Sequence, residues 1–216
     1  MSFSKLKAIK FGLEKTKADP FIVVGISLAA VIYWSFPFYI VSYLLGVNEA
    51  LGTLLLFAFL IINFLIMMGY MKVVIDIHDG RSVSLKDLFM HYKKLPDFLI
   101  GFLFYLVIVS VSSLFLVIPG IYLAVRFSFG LFFVLQGDGP ALESLKKSWN
   151  LTKGKFFELL IFYLFLLIIN ILGASVILLG LAFTLPVTGI AIIYSYRKLA
   201  YKKKKKEVQE LSGLSN

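Results

Sequence analysis

Few residues in this sequence could do chemistry, and the clearest of them is an arginine. Arg126 lies in VIPGIYLAVRFSF, residues 117–129, where every other position can sit in oil or at an oil–water boundary. A guanidinium carries five N–H donors and a permanent charge, so it must either satisfy acceptors of the protein or meet an anion. His78 and His91 share one inter-span segment, and DIHD, Asp76–Asp79, offers carboxylate and imidazole groups close together. Asp76 and Asp79 suit the polar end of a helix equally well, and no second ligand cluster stands nearby, so no metal is expected. The chain has no cysteine, which excludes disulfides, thiolate metal sites and cysteine nucleophiles. No G-x-S-x-G, phosphate-loop or zinc-helix pattern occurs. No aspartate or glutamate falls in the middle of an apolar run, where a proton-coupled pump would need one. Asn63 and Asn170 are polar near the expected midplanes and suit hydrogen bonds between helices. The sequence therefore predicts neither an enzyme nor a cofactor.

The elements that must position Arg126 are membrane helices. Of the 216 residues, 60% are hydrophobic, against about 45–50% in ordinary globular domains, and the mean hydropathy is +0.92. A soluble fold of this size could not hide so much apolar surface. Apolar runs cover Pro20–Leu45, Leu51–Ile75, Phe98–Ile118, Ile121–Gln136, Phe156–Phe183 and Val187–Tyr201. A helix needs about 20 residues to cross about 30 Å of hydrocarbon, so the fourth and sixth runs are short. The first run is too long and too aromatic for a cleaved signal and is expected to stay as a helix.

The net charge of +10 has a topological reading rather than a nucleic-acid one. Lysines and arginines cluster before the first run, between the second and third, between the fourth and fifth, and after the sixth; the other connections, around Asn48, Pro119–Gly120 and Thr184–Pro186, have none. By the positive-inside rule both termini are cytoplasmic, with six crossings. The expected fold is all-α, a single membrane domain over 1–216. It comprises a basic amphipathic N-terminus (1–19), two spans (20–75), a cytoplasmic helix with spans three and four (76–136), a second such set (137–201) and a basic tail (202–216).

The basic segments are patterned. In SLKDLFMHYKK, Leu85, Leu88, Phe89 and Tyr92 share a helical face, with Ser84 and Asp87 spaced as a capping box. In GPALESLKKSWNLTKGK, Leu142, Leu145 and Trp149 share another, and at the N-terminus Leu6, Ile9 and Leu13 repeat the idea. Such helices either lie flat in the headgroup layer or pack on the cytoplasmic ends of the bundle. Each leads into a span, so the chain reads as three units in parallel order: amphipathic helix, outward helix, return helix. Some transporters are built from parallel repeats.

The order IKFGLEK, HDGRSVSLKDLF, IPGIYLAVRFSF, GPALESLKKSWNLTKGKF and YSYRKL resembles a broad group of poorly characterised prokaryotic membrane proteins. The group includes domain-of-unknown-function families and the membrane domain attached to some glycerophosphodiester phosphodiesterases. The resemblance covers nearly the whole chain and implies a six-helix domain in the prokaryotic cytoplasmic membrane. It does not imply phosphodiesterase activity, which belongs to a separate soluble domain, and the ten residues after Lys206 leave no room for one.

Three roles stand open for Arg126, the third being simple snorkelling from a lipid-facing position. Its side chain leans toward the start of its helix, so it can snorkel toward the outer turn at Pro119–Gly120 and bond the last carbonyls of the preceding helix; or it faces a wet cavity or an anionic headgroup. The expected function is that of a non-enzymatic membrane protein whose basic cytoplasmic face engages anionic inner-leaflet lipid or a membrane-protein partner. Trp149, Lys146, Lys147, Lys153, Lys202, Lys203, Lys204, Lys205 and Lys206 form the candidate surface. The rival reading is a transporter or channel for a small solute or lipid.

Overall fold

A computed structural model describes residues 4–213, and their side chains except at positions 33–42, 44, 45, 47, 177–179, 206, 207 and 210–213. Among the described residues the structure is helical, with no strand. The helices are α1 (Lys5–Ala18), α2 (Pro20–Val47), α3 (Glu49–His78), α4 (Leu95–Phe115), α5 (Val117–Phe127), α6 (Gly130–Gln136), α7 (Ala141–Leu151), α8 (Phe156–Ala174) and α9 (Ile177–Gly213). Four stretches are long and apolar enough to cross a membrane, namely Glu49–His78, Leu85–Phe115, Val117–Gln136 and Phe156–Ala174; Pro20–Ile32 is a shorter apolar one. Large apolar side chains stay exposed along these helices, as at Leu103, Val107 and Val111 of α4 and Leu164, Ile168 and Leu172 of α8. Lipid is the solvent in which such faces cost nothing.

Two turns differ from the sequence expectation. The chain reverses at Leu116, before Pro119, and Pro119 and Gly120 lie in the first turn of α5. A proline fits there because the first N–H groups of a helix have no intrahelical partner. The other expected turn, Thr184–Pro186, is inside α9, and the chain reverses at Ser175–Val176. Gly173 and Gly180 flank that reversal so closely that a Cβ on either would overlap the other's surroundings. Pro186 is carried within the helix, and next to it the Thr188 hydroxyl lies within hydrogen-bond distance of the carbonyls of Thr184 and Leu185, at 3.0 and 3.1 Å. Hydroxyl side chains of this kind are one means by which membrane helices tolerate proline.

The chain divides into two compact units. One comprises Gly12–Leu95 and Leu167–Ile190. In it the Ser27 and Tyr70 hydroxyls join α2 to α3 at 3.3 Å, and Asn170 joins α8 to α9 through Thr188 at 3.2 Å. Asn63, by contrast, bonds back to the Phe59 carbonyl of its own helix. The SLKDLFMHYKK segment forms two short 3-10 turns, Leu85–Leu88 and Tyr92–Lys94, instead of one α-helix. The Asp87 carboxylate accepts from the Ser84 N–H at 2.7 Å, as in a capping box. Of the expected apolar face, Leu88 alone is buried, and its backbone lies against Gly69. The other unit comprises Met1–Phe11, Pro96–Leu166 and Ala191–Asn216. There Gly101 of α4 admits Leu131, Val134 and Ala141 within 3.3–3.6 Å of where its Cβ would stand. Tyr196 of α9 packs among Phe129, Phe132 and Phe133.

Gly69→Ala is expected to destabilise the protein, by about 1–3 kcal/mol for overpacking, because its methyl meets the Leu88 backbone. Gly25→Ala, in α2 with open space around it, is expected to gain up to about 1 kcal/mol from helix propensity. Thermal unfolding of the two variants in detergent, followed by circular dichroism, should give shifts of opposite sign.

Candidate functional site

The helix that carries Arg126 is interrupted. α5 ends at Phe127 and α6 begins at Gly130, so backbone groups near Ser128 and Phe129 need other partners. α7 supplies them. The Ser148 hydroxyl donates to the Arg126 carbonyl at 2.9 Å and accepts from the Phe129 N–H at 3.1 Å. The Thr152 hydroxyl lies 3.0 Å from the same carbonyl. The Val125 carbonyl takes the Ser128 hydroxyl at 2.9 Å, and Tyr163 of α8 donates to Ser128 Oγ at 2.8 Å.

α7 can do this because Ser144, Ser148 and Thr152 recur every four residues and are fully buried. Ser144 donates to the Gly139 carbonyl at 3.2 Å and ties down the entry to α7. That entry needs Gly137 and Gly139 in left-handed conformations, at φ +80° and +127°. Gly130 lets Leu145 close onto α6; a Cβ there would overlap the leucine side chain. α7 is therefore packed on α5 and α6 through Ala141, Ser144, Leu145, Ser148 and Leu151. Leu142, expected on the same face as Leu145 and Trp149, is exposed.

Arg126 is 3% exposed. Its Cζ lies 4.0 Å from the centroid of the Trp149 ring and 5.8 Å from that of Tyr122. Trp149 also meets Phe127 at 5.3 Å, and Tyr122 meets Phe156, the first residue of α8, at 5.0 Å. Among the described residues the guanidinium donates no hydrogen bond, and its Nε is buried without a partner. The expected bond to the carbonyls at the end of the preceding helix is not made. The side chain does lean toward the start of α5, over Tyr122 one turn back, but Trp149 of α7 occupies the place beside it and takes the face of the cation. This contact is tertiary and could not be read from α5 alone.

The remaining candidates fall in separate places. Gly120 is buried against Ser113 of α4. Lys147 pairs with Glu143 at 3.1 Å and also bonds the Asp138 carbonyl. Lys146 and Lys153 are exposed, as are Lys202, Lys203, Lys204 and Lys205; the side chain of Lys206 lies outside the described residues. Asp76 is engaged by Lys72 and Arg81, and His78 by Asp79. No group of three metal-ligating side chains occurs among the described residues. In the unit holding α2 and α3, a recess of about 210 Å³ lies where Lys15, Asp19 and Ile22 face Ile77, Arg81 and Val83. Arg81 is already bound to Asp76 there.

Reading for apolar periodicity missed Ser144, Ser148, Thr152 and Ser128. For Ser144, Ser148 and Thr152 the signal was a small hydroxyl at every fourth position, the pattern that lets helices approach and bond in membranes; Ser128, just after the end of α5, carried none. Ser148→Ala leaves the Phe129 N–H without an acceptor and is expected to cost about 1–3 kcal/mol. Thr152→Val leaves the Arg126 carbonyl to Ser148 and should cost less, about 1 kcal/mol. The double variant should lose more than the sum, because that carbonyl then loses both donors. Unfolding midpoints in detergent check all three.

Comparison of the chain with protein-family models, with curated proteins and with solved structures finds no match.

Proposed function

We propose that this chain is a non-enzymatic, multi-pass protein of the prokaryotic cytoplasmic membrane that holds anionic lipid at a basic cytoplasmic face. It crosses six times, with both termini inside, as the resemblance to prokaryotic six-helix membrane domains implies. Four apolar stretches of crossing length support the membrane assignment, and the alternation of lysine-rich and lysine-free connections supports the orientation. One observation carries the lipid reading. α9 continues from its apolar part into Lys202, Lys203, Lys204 and Lys205 without a break, and all four side chains are exposed. A helix does not collapse onto itself, so it presents these charges as a stiff basic rod. Near an anionic leaflet each such lysine contributes about 1 kcal/mol.

Two measurements test this. Single cysteines can be introduced without background, since the chain has none. Cysteines at the exposed positions Glu49 and Ser175 should react with an impermeant reagent from outside, and those at Lys86 and Lys146 should not; the reverse pattern rejects the orientation. In membrane discs excised from cells by polymer, the wild type should be enriched in anionic phospholipid relative to a variant with Lys202–Lys206 changed to glutamine. Equal enrichment in the two rejects the lipid reading.

A further inference from the structure

Among the described residues, several polar groups at the helix break hold one another, and one does not. The Arg126 carbonyl has two hydroxyls within reach, the Phe129 N–H has Ser148, and Ser128 and Tyr163 hold each other. Among the described residues the guanidinium of Arg126, 3% exposed, has two aromatic rings and no acceptor. A buried charge without partners is costly. The rings engage the face of the cation. Its donors point outward in the plane of the group, so stacking leaves them unspent.

Basic residues and a helix start follow this contact along the chain. Thr152, which touches the Arg126 carbonyl, is followed by Lys153 and Lys155. Leu159 is the first residue of α8 whose N–H bonds within that segment, to the Lys155 carbonyl; the N–H groups before it have no intrahelical acceptor. That helix start lies on the same Tyr122 ring that flanks Arg126, and helix starts favour anions. Glu158, in the first turn of α8, is already engaged, and Glu143 of α7 pairs with Lys147.

We propose that Arg126, walled by Tyr122 and Trp149, binds a phosphoryl oxyanion. A guanidinium edge matches two oxygens of a phosphate bidentately, and aromatic walls suit a ligand with a charged and an apolar end. The occupant is a lipid headgroup phosphate or free phosphate, which share this chemistry. The inference deepens the lipid-holding reading above, yet it uses none of the tail lysines.

The test is thermal unfolding of the full chain in a neutral detergent, with dihexanoyl phosphatidic acid or inorganic phosphate titrated at constant ionic strength. A saturable rise in Tm with both ligands supports a site for the oxyanion itself; a rise with phosphatidic acid alone supports a lipid source. Arg126→Gln should weaken the apparent affinity about tenfold or more, and Arg126→Lys should recover part of it. Should Arg126→Gln fail to fold, Arg126→Lys and Trp149→Phe carry the comparison, each expected to bind several-fold more weakly. No saturable shift in the wild type overturns the proposal, as does an affinity unchanged in every folded variant. The variant with Lys202–Lys206 changed to glutamine should bind as the wild type does. If it alone loses binding, the Arg126 site is rejected while the tail reading stands.

Discussion

A helix interrupted among apolar side chains must find partners for the backbone groups it releases. Lipid offers none, and each unpaired group there costs several kcal/mol. The interruption between α5 and α6 meets this constraint through two hydroxyls of α7, Ser148 and Thr152, which reach the Arg126 carbonyl and, in the case of Ser148, the Phe129 N–H. Other features of the unit follow. α7 must come close, so α6 carries Gly130 where Leu145 enters and α4 carries Gly101 near Ala141. The chain must turn sharply to bring α7 back along α6, so Gly137 and Gly139 take backbone conformations that other residues resist.

The close approach of a leucine to a glycine recurs in the other unit. Leu85 and Leu88 stand three apart, as do Leu142 and Leu145. In each pair the first leucine is exposed and the second is buried, Leu88 with its backbone on Gly69 and Leu145 with its side chain on Gly130. Both glycines belong to the helix that precedes the pair in sequence. The parallel is a packing contact shared by two of the three units read from the sequence. The two pairs differ in local geometry, one sitting on a 3-10 turn and the other on an α-helix.

What was legible in the sequence was what depends on composition and period. The apolar runs matched α2, α3 and α4 to within a few residues, since burial in lipid selects length and hydrophobicity alone; the run Phe156–Phe183 began with α8 but overran its end at Ala174 by nine residues. The two misplaced turns, at Pro119 and Pro186, share a cause. Proline is a strong turn signal in water, but in the first turn of a helix it forfeits nothing, and inside a membrane helix nearby hydroxyls can stand in for the missing bond. Arg126 was singled out because its chemistry is conspicuous. Its partner was not legible, because Trp149 reaches it from a separate helix whose apolar pattern left open both the headgroup layer and docking on the bundle. The serines and threonine of α7 fall between its apolar positions and read as a polar face. In the fold they are the buried one.

Arg126 meets α7 at two points. Its carbonyl points along the helix toward the break, where Ser148 and Thr152 stand, and its side chain leans the other way, onto Trp149. All three partners lie within five residues of α7, so a single residue of α5 is held by both its backbone and its charge. The guanidinium cannot swing away without giving up the Trp149 ring, and α7 cannot lift without exposing the released backbone. An anion seated on the guanidinium edge would bind only the docked arrangement, and would therefore stabilise it by mass action. Lys146, Lys147 and Lys153 ride on α7 or just after it, so docking also fixes where those charges stand. The hydrogen bonds that make the helix break tolerable thus tie an internal cation to the placement of a basic surface.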